Sequence, residues 1–375
     1  MLFREADLET FANCTGGEFT RVSGMSRVVS RAHVALSRKP VAEPLTYVIP
    51  EMAFARLPNV AVKGAHAIVF SLAQTRYLAK RMSHRCYDPL WDAGAWTRQT
   101  YAGLDADLDP PEIHIKEPAF LFGLCNTNFG HLVWEGLMRV YMLSRIPGNE
   151  SLKIIVPDDL PKRFAVWLQA FGIAPNRVIG IPAGKTVAVD TLYVCTAPFG
   201  RAADKTILAH EESLRYARHM LMNSRPRSHE RTRLYLGRAD SRDKRCVNEP
   251  EVIALLEAIG FRAITGTNTT PEEQVDLVCR AEFIVGAIGA ATAVAAFAPE
   301  DCMVVEMTPH LGIFGIFNST ISAAILGQPF ARLGGTRVIL PDNPRPEPLW
   351  WDYSVDLVNI GNIMSAFLNR PRFET

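Results

Sequence analysis

The sequence predicts an α/β protein built on parallel sheet, and three observations predict it. From Leu152 onward, short runs of β-branched and aromatic residues alternate with helical runs. The stretch Ala281 to Glu306 spells a strand, a small-residue turn, a helical run and a second strand. The chain's 375 residues exceed what one hydrophobic core usually supports, so two domains are expected.

Taken in order, residues 1–40 carry Arg21, Arg27, Arg31, Arg38 and Lys39 among few large apolar side chains, which reads as an irregular leading segment. Tyr47-Val48-Ile49 and Ala67 to Phe70 read as strands, 76–111 as irregular, and Glu112 to Leu124 as β-type again. From His131 to Arg145 the chain has no Pro and only Gly136, so a helix is expected, N-capped by Asn128. Strands at Lys153 to Val156, Arg177 to Ile179 and Thr191 to Val194 follow, with helices at Pro161 to Phe171 and Ile207 to Met222. The Ser/Arg/Pro-rich stretch Ser224 to Thr232 is the expected linker. Beyond it come a strand at Leu234 to Leu236, a cationic loop to Asn248, a helix from Pro250, a strand at Phe261 to Ile264 and a helix from Pro271 to Arg280. The expected domains are therefore 1–223 and 224–345, with 346–375 as a tail for which a return to the N-terminal domain is one course.

Composition bounds the function. The chain is 48% hydrophobic and 21% charged with a formal net charge of +1, which argues against a general nucleic-acid or membrane-surface binder. Seven cysteines lie scattered without metal-ligand spacing, favouring free thiols in a reducing compartment. No window reads as a signal peptide or membrane span, so the cytoplasm is expected, with peripheral association at the inner face of a membrane left open.

Two constellations carry chemistry. In the first, the polar residues His131, Glu135 and Arg139 recur every four positions on an otherwise apolar helix, and so share one face. That stripe is either a surface ladder in which Glu135 pairs with Arg139, or a cleft-facing set able to do acid/base work. In the second, Gly286 and Gly289 let backbone approach a ligand, and the helical run after Ala290 points N–H groups at whatever sits above the strand. Arg238, Arg242, Lys244 and Arg245 crowd a loop beyond another strand's carboxyl end, where open α/β sheets bind ligands. Arginines on one loop and backbone amides on another supply what a diphosphate needs without a metal. The plain alternatives are tight helix packing for the glycines and solvated arginines for the loop.

Three blocks together resemble the family 61 glycosyltransferases. Asn128-Phe-Gly-His131-Leu-Val-Trp-Glu135-Gly-Leu-Met-Arg139 is similar to that family's Asn-x-x-His-Trp-x-x-Glu-x-x-x-Arg helix. Arg238, Arg245, Asn248 and Glu249 fall where the family has a strand-Arg and an Arg-x-x-Asn-Glu pattern, and Gln274 through Gly286, Gly289, Ala290 and Glu306 resembles its third block. Ile288 stands where the family has a histidine, and it can neither donate a hydrogen bond nor take a proton.

The resemblance implies a GT-B architecture of two Rossmann-like domains facing across a cleft, with an inverting reaction needing no metal and no cofactor. Asp105-Ala-Asp107-Leu-Asp109 is the nearest approach to a metal motif and lies outside the matched blocks. Expected partners are a nucleoside diphosphate sugar, UDP-linked, and a glycan or lipid-linked glycan acceptor. His131 is the expected base with Glu135 orienting it or substituting for it, and Asn128 and Arg139 are expected as acceptor or cleft residues. Arg238, Arg245, Asn248, Gln274, Gly286, Gly289, Ala290 and Glu306 form the expected donor site. Two alternatives remain at this stage: a catalytically silent sugar-nucleotide or glycan-binding homologue, raised by Ile288, and a Rossmann-type NAD(P)-dependent oxidoreductase, in which Glu306 would hold the ribose.

Overall fold

A computed structural model describes residues 2–23, 27–36, 40–63, 68–78, 97–100, 103–106, 108–122, 129–158, 160, 162–182, 184–201, 207–224, 230–238, 244–266, 268–310, 318–343 and 351–368. Asn128, Arg242, Asp107, Cys86, Cys125 and the middle of the expected linker, 225–229, lie outside the described residues. The chain divides into two compact units: Met1–Val29 with Thr46–Met220, and Ser30–Leu45 with Leu221–Thr375. Among the described residues no helix is long and apolar enough to cross a membrane.

The first unit is a mixed sheet. Val178–Ile181, Lys153–Pro157, Ala119–Leu121 and Thr186–Cys195 run parallel in that order. Thr186–Cys195 then pairs antiparallel with the long strand Met52–Lys63. Ala55, Leu57, Val60 and Val62 alternate with Val187, Val189, Leu192 and Val194 in one buried cluster, as period-two strands with a covered face require. Phe11 and Ala12 of the helix Leu8–Thr15 join that cluster. The irregular leading segment is thus corrected. Asp7 accepts the Thr10 N–H at 2.8 Å as an N-cap, and Gly16 closes the helix in the left-handed conformation, φ 71°. Strands Leu2–Glu5 and Glu18–Ser23 flank it. Ile207 to Met222 is corrected as well: a strand, Ile207–Ala209, precedes the helix Glu211–Asn223.

The second unit is Rossmann-like. Its strands are β1 (Thr232–Leu236), β2 (Arg262–Ile264), β3 (Ala281–Ala287), β4 (Met303–Thr308) and β5 (Phe330–Gly334). The helices α1 (Glu249–Glu257), α2 (Pro271–Cys279) and α3 (Asn318–Leu326) cross between them. All neighbours are parallel in the order β2-β1-β3-β4-β5. β6 (Thr336–Val338), β7 (Asp352–Ser354) and α4 (Leu357–Leu368) follow, and the strand Arg27–Leu36 pairs parallel with the outer edge of β5. Val252 and Leu256 of α1 and Ile360, Ile363 and Met364 of α4 bury one sheet face with Tyr235, Val285, Val305 and Leu333. The described part of the tail lies in the second unit and packs its apolar face on this sheet.

Candidate functional site

A 2-1-3-4-5 order reverses direction between β1 and β3, and ligands of open parallel sheets bind at the carboxyl ends of the strands flanking that reversal. Gly237 and Arg238 leave β1 there, and Ile288 and Gly289 leave β3. The two turns touch: Arg238 Nη1 donates to the Ile288 carbonyl at 3.3 Å. A Cβ at Gly289 would lie 1.7 Å from Arg238 Nη1, and Gly289 has φ 154°, a conformation L side chains rarely adopt. Only glycine leaves room for that guanidinium.

The arginine is held from behind. Glu249, at the first turn of α1 and 7% exposed, accepts both the Arg238 N–H and the Tyr235 hydroxyl at 2.9 Å. Gly237 N–H donates to the Ile264 carbonyl, tying the turn to β2. Gln274 reaches the same corner, donating to the Thr265 carbonyl at 3.3 Å. Gly286 fits beneath, where a Cβ would meet Thr292 Cγ2 at 2.9 Å and Leu236 Cβ at 3.1 Å.

The Ala-rich run after Ala290 is corrected from an α-helix to a 3-10 turn, Ala291–Phe297. It starts on the Gly289 carbonyl, which Thr292 Oγ1 caps at 3.0 Å. A turn so short aligns few peptide dipoles, so among the described residues the positive charge at this corner comes chiefly from Arg238. Ile288 keeps its side chain buried at 1% exposure, and its backbone carbonyl accepts from Arg238.

The remaining members of the expected donor site are engaged elsewhere. Arg245 donates to both oxygens of Asp342 at 2.7 Å and to Asp352 Oδ2 at 2.7 Å. Asn248 exchanges two hydrogen bonds with the backbone of Val355. Glu306 does not end its strand, which continues to Thr308, and it is fully buried. Its carboxylate meets Ser319 Oγ at 2.5 Å and Arg332 Nη2 at 3.3 Å. Burial pushes the Glu306 carboxyl above the usual range, while Arg332 and the hydroxyls of Ser319 and Thr292 oppose the shift. Its surroundings make Glu306 a bolt between β4, α3 and the 3-10 turn.

In the first unit, the expected continuous helix after His131 is segmented. Phe129–His131 is followed by a π-helical turn, Leu132–Gly136, a 3-10 turn, Leu137–Arg139, and an α-helical turn, Val140–Leu143. Gly136 permits the wide turn, and π-turns of this kind occur preferentially at functional sites. The stretch lies between the parallel strands Ala119–Leu121 and Lys153–Pro157, so His131 opens the crossover on their carboxyl-end side.

His131 Nδ1 and Glu135 Oε1 are 2.6 Å apart, with side-chain exposures of 12% and 7%. With Nδ1 donating to the carboxylate, the neutral imidazole carries its lone pair on Nε2. Arg139 is turned inward at 0% exposure, donating to the Glu135 carbonyl at 2.6 Å and the Cys195 carbonyl at 3.1 Å. The stripe is thus not a solvated ladder: an imidazole–carboxylate pair sits on a buried arginine that ties it to the sheet. Asp109, from the acidic run upstream, pairs with Lys63 at 3.4 Å.

Fold and site define a Rossmann-like α/β protein whose strand-order reversal carries a cationic side chain over a glycine turn. Residues 129–305 match the family model described as Glycosyltransferase 61. The match covers just under half of the chain and supports a family 61 glycosyltransferase. No curated protein matches the chain. Sequence reasoning missed Glu249 as the support of Arg238, although a Glu at the first turn of α1 is the signal that marks it.

Proposed function

We propose that this enzyme is an inverting, metal-independent transferase moving a sugar from a UDP-linked donor to a hydroxyl of a glycan or lipid-linked glycan in polysaccharide biosynthesis. The observation that carries the donor half is the contact of Arg238 with the Ile288–Gly289 turn at the strand-order reversal. A guanidinium matches the oxygens of a diphosphate. The GT-B architecture implied by the family resemblance belongs to the same reading.

The chemistry is a single displacement. His131 Nε2 takes the proton of the acceptor hydroxyl, whose oxygen attacks the anomeric carbon on the face opposite the diphosphate. The bond from that carbon to the β-phosphate oxygen breaks, and configuration inverts. Glu135 holds the imidazole tautomer and stabilises the imidazolium that forms. Arg238 meets the charge growing on the departing diphosphate, a contribution of about 10²–10³ in rate for one well-placed donor.

Thermal-shift and calorimetric titration with uridine diphosphate test the donor site. A ligand present at about 100 times its Kd stabilises the folded state by about 2.7 kcal/mol, a shift of several degrees. Arg238→Ala is expected to weaken uridine diphosphate binding about 10- to 100-fold with the fold intact. Absence of any shift at millimolar nucleotide refutes the assignment.

A further inference from the structure

We propose that Asp352, beyond the family-matched residues, is a positioning residue for the sugar-nucleotide pocket, fixing Arg245 and, through the segment that Arg245 closes, Arg238. The inference rests on the donor-site reading above and adds to it a part of the chain that the family motifs do not reach.

The segment 244–249 is laced to β7 along its length. Tyr353 N–H donates to the Arg245 carbonyl at 2.9 Å, and Val247 N–H donates to the Tyr353 carbonyl at 2.7 Å. One residue on, Asn248 Oδ1 accepts the Val355 N–H at 3.0 Å and Asn248 Nδ2 donates to the Val355 carbonyl at 2.9 Å. The next residue is Glu249, whose carboxylate holds the Arg238 N–H. A short chain of bonded neighbours therefore runs from β7 to the backbone of Arg238.

Asp352 is the strongest link in it. Its two oxygens take different groups of one residue: Oδ1 accepts the Arg245 backbone N–H at 2.8 Å and Oδ2 the Arg245 Nη2 at 2.7 Å. The Asp352 side chain is 0% exposed, whereas Asp342, which grips the same guanidinium, is 65% exposed. Burial pushes the Asp352 carboxyl up, but hydrogen bonds from the side chain and backbone of Arg245 and from Asn343 outweigh it and hold it below the ordinary range. A carboxylate so placed stays charged and keeps both grips.

Two further features make this clamp more than packing. Lys244, one residue before Arg245, is held at φ 55° and is 8% exposed. A non-glycine residue persists in that conformation only where its surroundings over-determine it. β7 is itself anchored to the sheet end: the Tyr353 hydroxyl donates to the Met307 carbonyl at 3.3 Å, and its ring lies against Gly335, where a Cβ would be 2.4 Å away. The frame thus joins the ends of β4 and β5 to the turn after β1. An ion pair of this kind adds little to stability over an apolar pair of the same size, so its effect is expected in position rather than in stability.

A double-mutant cycle with uridine diphosphate as the probe tests the proposal. Asp352→Asn is expected to weaken binding about tenfold, equivalent to about 1.4 kcal/mol, in protein that circular dichroism shows to be folded at the titration temperature. In an Arg238→Ala background, titrated at millimolar nucleotide, the same substitution is expected to change affinity less than twofold, because the group it positions is gone. Asp342→Asn, in the exposed arm, moves affinity less than twofold. Should Asp352→Asn fail to fold, Arg245→Lys serves: it keeps the charge but not the fork, with an expected loss of about threefold that vanishes without Arg238. Equal losses with and without Arg238, or unchanged affinity in Asp352→Asn, overturn the inference and leave the donor site standing. A parent protein that does not bind uridine diphosphate overturns both.

Discussion

Replacing Gly289 by alanine tests the donor corner most directly, because its effect can be worked from the coordinates. The new methyl would lie 1.7 Å from Arg238 Nη1 and 2.8 Å from Cζ. Ordinary contact begins near 3.5 Å, so the guanidinium must retreat by about 2 Å. Its bond to the Ile288 carbonyl, already 3.3 Å long, does not survive that movement. The collision is relieved cheaply, since the end of a flexible side chain moves, but the relief empties the site of its cation.

Backbone strain at φ 154° is not relieved, and costs about 1–3 kcal/mol. A less flexible unfolded chain offsets about 0.4–1 kcal/mol of it. The net is a destabilisation of at most about 2.5 kcal/mol. Loss of the charge-assisted contact to the diphosphate is worth about 1.5–3 kcal/mol, or 10- to 100-fold in affinity.

Calorimetric titration with uridine diphosphate reads the second quantity and denaturant unfolding the first. Gly286→Ala is the companion variant. Its methyl meets Thr292 and Leu236 rather than Arg238, so it should lower stability while disturbing affinity less. Parent-like uridine diphosphate affinity in Gly289→Ala would refute the placement of the diphosphate on Arg238.

Two further outcomes are expected. His131→Gln should lower kcat by about 10²–10⁴ with nucleotide affinity within twofold of the parent, read as sugar released from the UDP-linked donor; a kcat within threefold removes His131 as base. His210, whose ring Nδ1 accepts the Ser213 N–H at 3.2 Å and lies against Tyr141, is lowered from 6.5 to about 4, chiefly by burial and against the pull of Glu212 and Glu211. Below pH 6.5 the unfolded chain takes up a proton that the folded chain refuses, so stability should fall by about 3 kcal/mol between pH 6.5 and about 4 and then level off. His210→Asn keeps a capping side chain and should flatten that loss; identical pH slopes in the two proteins would sink the argument.

How much was legible beforehand depends on how local the signal is. β3, β4, α1 and α2 were readable because apolar runs, Pro250, Pro271 and Gly286 act within a few residues of themselves. Asp7 and Gly16 bracket the helix Leu8–Thr15 in the same local way, yet charged neighbours masked it. The break at Gly136 and the 3-10 course of Ala291–Phe297 follow from packing that helix propensity does not encode.

Residue pattern alone establishes that the chain is α/β, which motifs it carries and that His131 and Glu135 share a face. Tertiary packing alone brings Arg238 to a carbonyl 50 residues downstream, Arg245 to an aspartate 107 residues away, and Glu306 into full burial. Strand order is the reason. Pairing β3 beside β1 is a choice among sheet arrangements of similar local propensity, settled by the burial of whole faces, and no window of sequence contains that comparison.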